Sequence, residues 1–349
     1  MVIIQICILI LSFGVLAIIC DAVFVPALEK IAKQLKLSSE FAWATLMAVW
    51  SSAPELFTSL FALTNPDVDL SLWAWTIVWS ALFNILVIIW ATAMVRNVTI
   101  SRKPVVRDLT FYCISLFLML LFFWDGQIVL YETLIFIWIY ILYVWVAKNR
   151  WKRLKYTLPE QEDEDDQDEN TWPKKYLLAI LTFPLRFVPV WQKHWRTFWW
   201  SILVIAIMTH FMVDSAVQVA HYFSIPDVII WLTILAAWTS VPDLLSSIAV
   251  AKKGKWDMAI SNAVWSNIFD ILFCLWVPYL LYILFISETW SIVVDNANLQ
   301  ASIILLFATA IAVVVLLLIK KWSLTRWAWV MLIALYVAYI IRNIFKIYW

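Results

Sequence analysis

Apolar residues along this chain come in repeated runs near the ~20 residues that a helix needs to cross the hydrocarbon core of a bilayer. Charged residues break the runs and leave ten predicted spans, near 2–20, 41–63, 71–95, 109–123, 128–147, 199–222, 228–251, 257–285, 299–319 and 326–347. The pattern predicts an all-α polytopic membrane protein. Its N-terminal run lacks the basic region and the A-x-A-like site of a cleaved signal peptide, so it reads as a retained first helix.

The halves of the chain repeat. WATLMAVWSSAPELFTS, from Trp43, aligns with WLTILAAWTSVPDLLSS, from Trp231; VWSALFNIL, from Val78, aligns with VWSNIFDIL, from Val264. Both matches fit one internal duplication. It divides the chain into a first five-helix half (1–147, repeat segment about 41–95), a loop (148–198) and a second half (199–349, repeat segment about 228–285). Five spans per half is an odd number, so the second copy enters the membrane in the opposite sense. That is the inverted-repeat plan of secondary transporters, with broken helices and a site at the midplane where the copies meet.

Composition agrees with the membrane reading: 64% of residues are hydrophobic, and the mean hydropathy is +0.88. Net charge is only +1, which gives no reason to expect nucleic acid as a partner; the expected partners are the lipid bilayer and inorganic cations. The distribution of charge says more. Odd-numbered loops carry the basic residues, among them Lys30, Lys33, Lys36, Arg96, Arg102, Lys103, Arg107, Lys252, Lys253, Lys255, Lys320, Lys321 and Arg326, and the even-numbered loops carry none. The positive-inside rule then puts odd loops in the cytoplasm and both termini outside a plasma membrane. Arg342 and Lys346 run against this trend. The fifth loop holds eight carboxylates between Glu160 and Glu169, the composition of a solvated linker.

Chemistry concentrates in the repeats. An ionised acid at mid-span costs about 2.5–3.5 kcal/mol on insertion scales, so Glu55, Asp243, Asp270 and, in span six, Asp214 call for compensation, which a bound cation supplies. Pro54 and Pro242 lack an amide hydrogen and free the carbonyls of Trp50 and Trp238. Glu55 shares a helix face with Ser51, Ser52 and Ser59, and Asp243 with Thr239, Ser240 and Ser247. Ser80 stands one turn from Asn84, and Ser266 and Asn267 one turn from Asp270. A single hydroxyl in a membrane helix is commonly a packing residue; the set repeated at matching positions is not so explained. The donors are all oxygen, which suits a hard cation such as Ca²⁺ and not zinc or copper. Asp214 lies outside the matched segments. The histidines His194, His210 and His221 show no ligand spacing, and the four cysteines, Cys7, Cys20, Cys113 and Cys274, read as packing residues.

SSAPELFTS with TIVWSALFNIL, and TSVPDLLSS with VAKKGKWDMAISNAVWSNIFDIL, resemble the two alpha repeats of the sodium/calcium exchanger family. The Pro-Asp of the second repeat and its Ser-Asn-Ile-Phe-Asp ending are most similar to the potassium-dependent sodium/calcium exchangers. The resemblance implies an antiporter that exchanges Na⁺ for Ca²⁺ by alternating access, with no cofactor and no enzymatic activity. It implies that Glu55 and Asp243 are the central calcium ligands. It further implies that Ser51, Ser52, Ser80, Asn84, Thr239, Ser240, Ser266 and Asn267 line the sodium and calcium sites, and that Asp270 is the acid associated with K⁺ co-transport. A Ca²⁺/H⁺ or other cation antiporter is the alternative; an intramembrane aspartyl protease is a remote one, because its catalytic pair would need a different motif context.

One departure from the family is large. Where the family has glycine this sequence has tryptophan, at Trp43, Trp50, Trp73, Trp75, Trp79, Trp90, Trp231, Trp238, Trp256, Trp265 and Trp276. Average usage of ~7% predicts roughly 24 glycines; the chain has 3, with 25 tryptophans. Departures of similar size and opposite sign point to UGA codons read as glycine by the source organism and rendered here as tryptophan. A deliberate glycine-to-tryptophan series and a natural adaptation are the alternatives. If the tryptophans are literal, no transport is expected.

Overall fold

A computed structural model of the chain describes residues 2–34, 51–52, 55–57, 59–60, 70–95, 98–99, 102–151, 193–223, 236–252, 256–294, 299–319 and 323–324, with scattered positions between 330 and 341. The predicted spans 41–63 and 326–347, the acidic linker, Pro54, Trp43, Trp50 and Trp231 fall wholly or largely outside the described residues.

In the first half, α1 (Val2–Ile19) continues through a π-helical turn, Cys20–Phe24, into α2 (Val25–Gln34). Then come α3 (Leu70–Phe83), a π turn at Asn84–Ile88, α4 (Ile89–Val95), β1 (Val98–Thr99), α5 (Arg102–Phe122), β2 (Gln127–Val129) and α6 (Leu130–Trp151). The second half runs α7 (Lys193–Tyr222), α8 (Ala236–Thr239), α9 (Val241–Lys252), α10 (Trp256–Phe269), a π turn at Asp270–Cys274, α11 (Trp276–Phe285), β3 (Ser291–Val293), α12 (Leu299–Ile319) and β4 (Ser323–Leu324). The duplication survives in three dimensions at single-residue register. Helices α3 and α10 and their π turns start and stop at positions 186 residues apart. Each π turn is closed the same way, by the Ile89 N–H on the Asn84 carbonyl and by the Leu275 N–H on the Asp270 carbonyl.

Five described helical segments are long and apolar enough to cross a membrane: Trp73–Thr92, Val105–Phe122, Leu130–Asn149, Ala259–Phe285 and Leu299–Ile319. At 1.5 Å per residue, a helix of about 20 residues covers the ~30 Å core. Helix α5 shows how the sequence divides its faces. Val105, Leu109, Tyr112, Leu116 and Met119 are buried, while Val106, Ile114, Phe117 and Leu121 are 45–51% exposed. The exposed stripe is apolar too, which in water would be an association hazard and in lipid is the correct outer face.

Two packing units organise the chain. Helices α1 and α7 run antiparallel, joined by Phe24 on Phe198 at 5.3 Å between ring centroids and by Gln5 Nε2 donating to Gln218 Oε1 at 2.7 Å. The larger core gathers α3, α5, α6, α10, α11 and α12, with Trp276 stacked on Phe136 at 4.0 Å. Short antiparallel ribbons tie the halves at their ends: β1 pairs with β4, and β2 with β3.

The helix ends differ from those expected. The first helix does not stop near residue 20 but runs to Gln34, so Lys30 is an exposed helical residue rather than a loop residue. Helix α5 begins at Arg102, which removes Arg107 from the third loop and buries it against Asp108. Hydropathy marks where side chains leave lipid; the backbone hydrogen-bond ladder has no reason to end there.

Candidate cation site

The second repeat segment breaks its helix between α8 and α9, with Ser240 as the turn residue. Pro242 falls in the first turn of α9, where its missing N–H costs nothing. The Leu244 N–H then donates to the Ser240 carbonyl at 3.0 Å, and at the equivalent place in the first repeat the Leu56 N–H donates to the Ser52 carbonyl at 3.1 Å. In both repeats, the residue after the acid thus closes the same i→i−4 backbone bond. Asp243 sits in the first turn of α9, where the free N–H groups of a helix start favour negative charge.

These breaks meet in the middle of the molecule. Glu55, Asp243 and Asp270 are fully buried, and one carboxylate oxygen from each lies within 4.8 Å of the others. They come from three elements and both halves of the chain. Among the described residues, Glu55 Oε2, both carboxylate oxygens of Asp270, Ser52 Oγ and Asn84 Oδ1 are buried without a hydrogen-bond partner. Buried oxygens in such number are costly unless something positive satisfies them.

The remaining predicted residues wrap this cluster, all of them buried. Ser80 Oγ and Ser240 Oγ are 2.7 Å apart, and both approach Glu55 Oε1, at 3.4 and 3.5 Å. Thr239 lies beside Glu55, Ser51 beside Asp243 and Ser52 beside Asp270. Asn84 is the bridge between halves: its Nδ2 donates to Asp243 Oδ2 at 3.2 Å, Ser266 Oγ at 3.2 Å and Asn267 Oδ1 at 2.9 Å. Asn267 uses its own amide nitrogen on the Ala81 carbonyl (3.1 Å) and the Tyr112 hydroxyl (3.5 Å). With both ends of its amide engaged by protein, it braces Asn84. Ser59 and Ser247 lie off the cluster, the first donating to the Leu56 carbonyl and the second accepting from Asn262. Asp214 is exposed on α7 and accepts from Gln218.

Two features were not foreseen. Cys274, taken from sequence as a packing residue, is fully buried with its thiol on the Ser52 carbonyl at 3.8 Å and against the Asp270 carboxylate. Asp108 is held by Arg107 (2.6 Å), the Tyr143 hydroxyl (3.2 Å) and the Trp265 indole (2.8 Å), and the Arg107 guanidinium lies 5.5 Å from the Trp265 ring centroid. That network fastens α5 and α6 to α10 one residue before Ser266. No sequence motif announces it; an Arg-Asp pair at a predicted loop edge looks like ordinary solvated charge.

The sequence profile of the family described as sodium/calcium exchanger protein matches residues 5–148 and 193–345. The chain belongs to the sodium/calcium exchanger family. This exchanger-family chain is 26% identical to human sodium/potassium/calcium exchanger 4, over 95% of the chain and 79% of that protein. It is 29% identical to human sodium/potassium/calcium exchanger 5, over 93% and 79%, and 28% identical to chicken sodium/potassium/calcium exchanger 2, over 96% and 76%. Among solved structures, the sodium-calcium exchanger NCX_Mj soaked with Na⁺ and Sr²⁺ aligns with a TM-score of 0.66, covering 97% of this chain and 99% of that one at 22% identity. At that identity the likeness is one of fold: this exchanger-family chain is an integral, multi-pass helical membrane protein of the NCX_Mj architecture.

Proposed function

We propose that the chain is a Na⁺/Ca²⁺ antiporter whose ions share the Glu55–Asp243–Asp270 cluster. One observation carries the reading: three buried carboxylates from opposite halves converge within 4.8 Å, with hydroxyl and amide oxygens around them. Glu55 and Asp243 are the central Ca²⁺ ligands. Ser51, Ser52, Ser80, Asn84, Thr239, Ser240 and Ser266 supply the neutral oxygens for Ca²⁺ and Na⁺, and Asn267 acts through Asn84. Ca²⁺ takes 6–8 oxygens in flexible geometry, which this set can provide.

Exchange follows from sharing. A closed, water-poor cavity penalises three unpaired negative charges, so the chain changes state readily when loaded and poorly when empty. Ca²⁺ leaves one side only when Na⁺ replaces it. If more than two Na⁺ move per Ca²⁺, each net charge adds about 2.3 kcal/mol of drive per 100 mV. Asp270, with both oxygens unpartnered among the described residues, is the group through which K⁺ co-transport would act, in keeping with the names of the curated relatives.

The chain is proposed to divide into two five-helix halves joined by a cytoplasmic loop, with termini outside the plasma membrane. Strand pairing supports the parity: β1 and β4 lie in odd-numbered loops, while β3 lies in an even-numbered loop and β2 begins in one. Calcium uptake into vesicles, in protein carrying glycine at the recurrent tryptophan positions, tests the function, driven in parallel by a sodium gradient and by a pH gradient, with and without K⁺. Uptake that follows Na⁺ supports the proposal; uptake that follows pH and ignores Na⁺ would make the chain a Ca²⁺/H⁺ antiporter.

A further inference from the structure

We infer that Cys274 gives the cation site a soft corner, so that a thiophilic divalent ion of calcium-like size, Cd²⁺, is bound through sulfur and blocks Ca²⁺ flux. The inference rests on the cation-site reading above. It starts from the π turn at Asp270–Cys274. Its first residue is a site carboxylate and its last is this cysteine, where the equivalent π turn of the first half ends in Ile88. The thiol is fully buried, 3.8 Å from the Ser52 carbonyl and against Asp270. Asp270 is itself fully buried, with only the Cys274 thiol and the Ser52 hydroxyl named beside its carboxylate and no cationic partner among the described residues. Sulfur, carboxylate and backbone carbonyl thus converge on one edge of an otherwise all-oxygen cluster. Oxygen donors select hard ions, whereas a thiolate selects soft ones; Cd²⁺ entering this mixed set displaces the thiol proton to water and binds the sulfur, while Ca²⁺ stays on the oxygens.

Titration of the purified full-length chain with Cd²⁺, read by the sulfur-to-cadmium ultraviolet charge-transfer band, tests this without transport. The band is expected in the wild type and in a Cys7→Ser/Cys20→Ser/Cys113→Ser variant, and is lost in Cys274→Ser. In vesicles, with each variant normalised to its own Ca²⁺ flux, Cys274→Ser raises the half-inhibitory Cd²⁺ concentration, because the soft donor is gone. A band that survives Cys274→Ser, or is missing from the triple variant, would overturn the inference. A Cys274-dependent band in a chain that carries no Ca²⁺ keeps it and overturns the transport reading instead.

A second inference rests on separate observations. We propose that the recurrent tryptophans are glycines in the living protein, encoded by UGA. Trp290 adopts φ = 55° in the turn before β3, a left-handed conformation that glycine reaches freely and a bulky residue does not. Trp73, Trp90 and Trp276 have buried indole nitrogens without an acceptor among the described residues. Trp90 and Trp276 stand at equivalent positions of the two repeats, as do Trp79 and Trp265. Trp265 does find an acceptor, Asp108; with glycine there, Asp108 keeps Arg107 and the Tyr143 hydroxyl, which join α5 to α6, and loses its tie to α10. Peptide mass spectrometry of protein purified from its source organism is expected to give glycine masses at 79, 90, 265, 276 and 290. Tryptophan masses there would overturn the proposal.

Discussion

Replacing Glu55 by glutamine removes one negative charge from the cluster while keeping the side chain's length and its Oε1 acceptor for Ser80 and Ser240. The three acids lie within 4.8 Å of one another. At that separation and an effective dielectric of about 20, each like-charged pair repels by about 3.5 kcal/mol. An ionised, cation-free triad therefore carries on the order of 10 kcal/mol of self-repulsion, and Glu55→Gln relieves about 7 kcal/mol of it. The same substitution removes a charged ligand from a bound divalent cation. The two effects have opposite signs and separate cleanly in a thermal-unfolding assay on purified protein, with a chelator or with graded Ca²⁺. Without cations the variant unfolds at a higher temperature than the wild type. With Ca²⁺ about 100-fold above its Kd, the wild type gains about 2.7 kcal/mol, and the variant gains none at the same concentration. Equal Ca²⁺ stabilisation of both proteins, or a variant less stable than the wild type in chelator, would refute the reasoning.

Asn84→Ala leaves the acceptors on Asp243, Ser266 and Asn267 without their shared donor, and should cost ~3 kcal/mol of stability together with a loss of Ca²⁺ affinity in equilibrium binding. Arg107→Ala strands the buried Asp108 carboxylate and is expected to cost about 3–5 kcal/mol, measured by thermal unfolding. Membrane-impermeant thiol reagents should label Thr99→Cys and Ser323→Cys from one face and Gln127→Cys and Val293→Cys from the other, since these positions lie in the two separate ribbons; labelling of all four from one side would contradict the inverted arrangement.

Much of the proposed site was legible because membrane burial makes polar residues conspicuous. Glu55, Asp243, Asp270, Ser80 and Asn84 stand out in apolar runs, and the duplication supplies their partners: the 186-residue register of the second repeat match is the register of α3 and α10. What stayed hidden obeys different rules. Cys274 is apolar enough to pass as packing, although its i+4 spacing already puts it on the helix face of Asp270. Asn267 is expected from the family resemblance to line the ion sites; that its amide nitrogen also reaches the Ala81 carbonyl and Tyr112, which lie far from it in sequence, no local pattern shows. Arg107 was read as a loop charge because charge marks a lipid boundary, yet burial against Asp108 satisfies it within a helix. Strands of two or three residues, such as β1 and β4, are too short to show an alternating pattern.

The central claim is that Na⁺ and Ca²⁺ compete for one site built from both halves. Equilibrium binding of radioactive Ca²⁺ to the purified chain, titrated with Na⁺, tests it most directly. The account predicts Ca²⁺ binding that Na⁺ displaces competitively and with a Hill coefficient above one, and that Glu55→Gln and Asp243→Asn each abolish. Ca²⁺ binding indifferent to Na⁺, or retained in both variants, would contradict it.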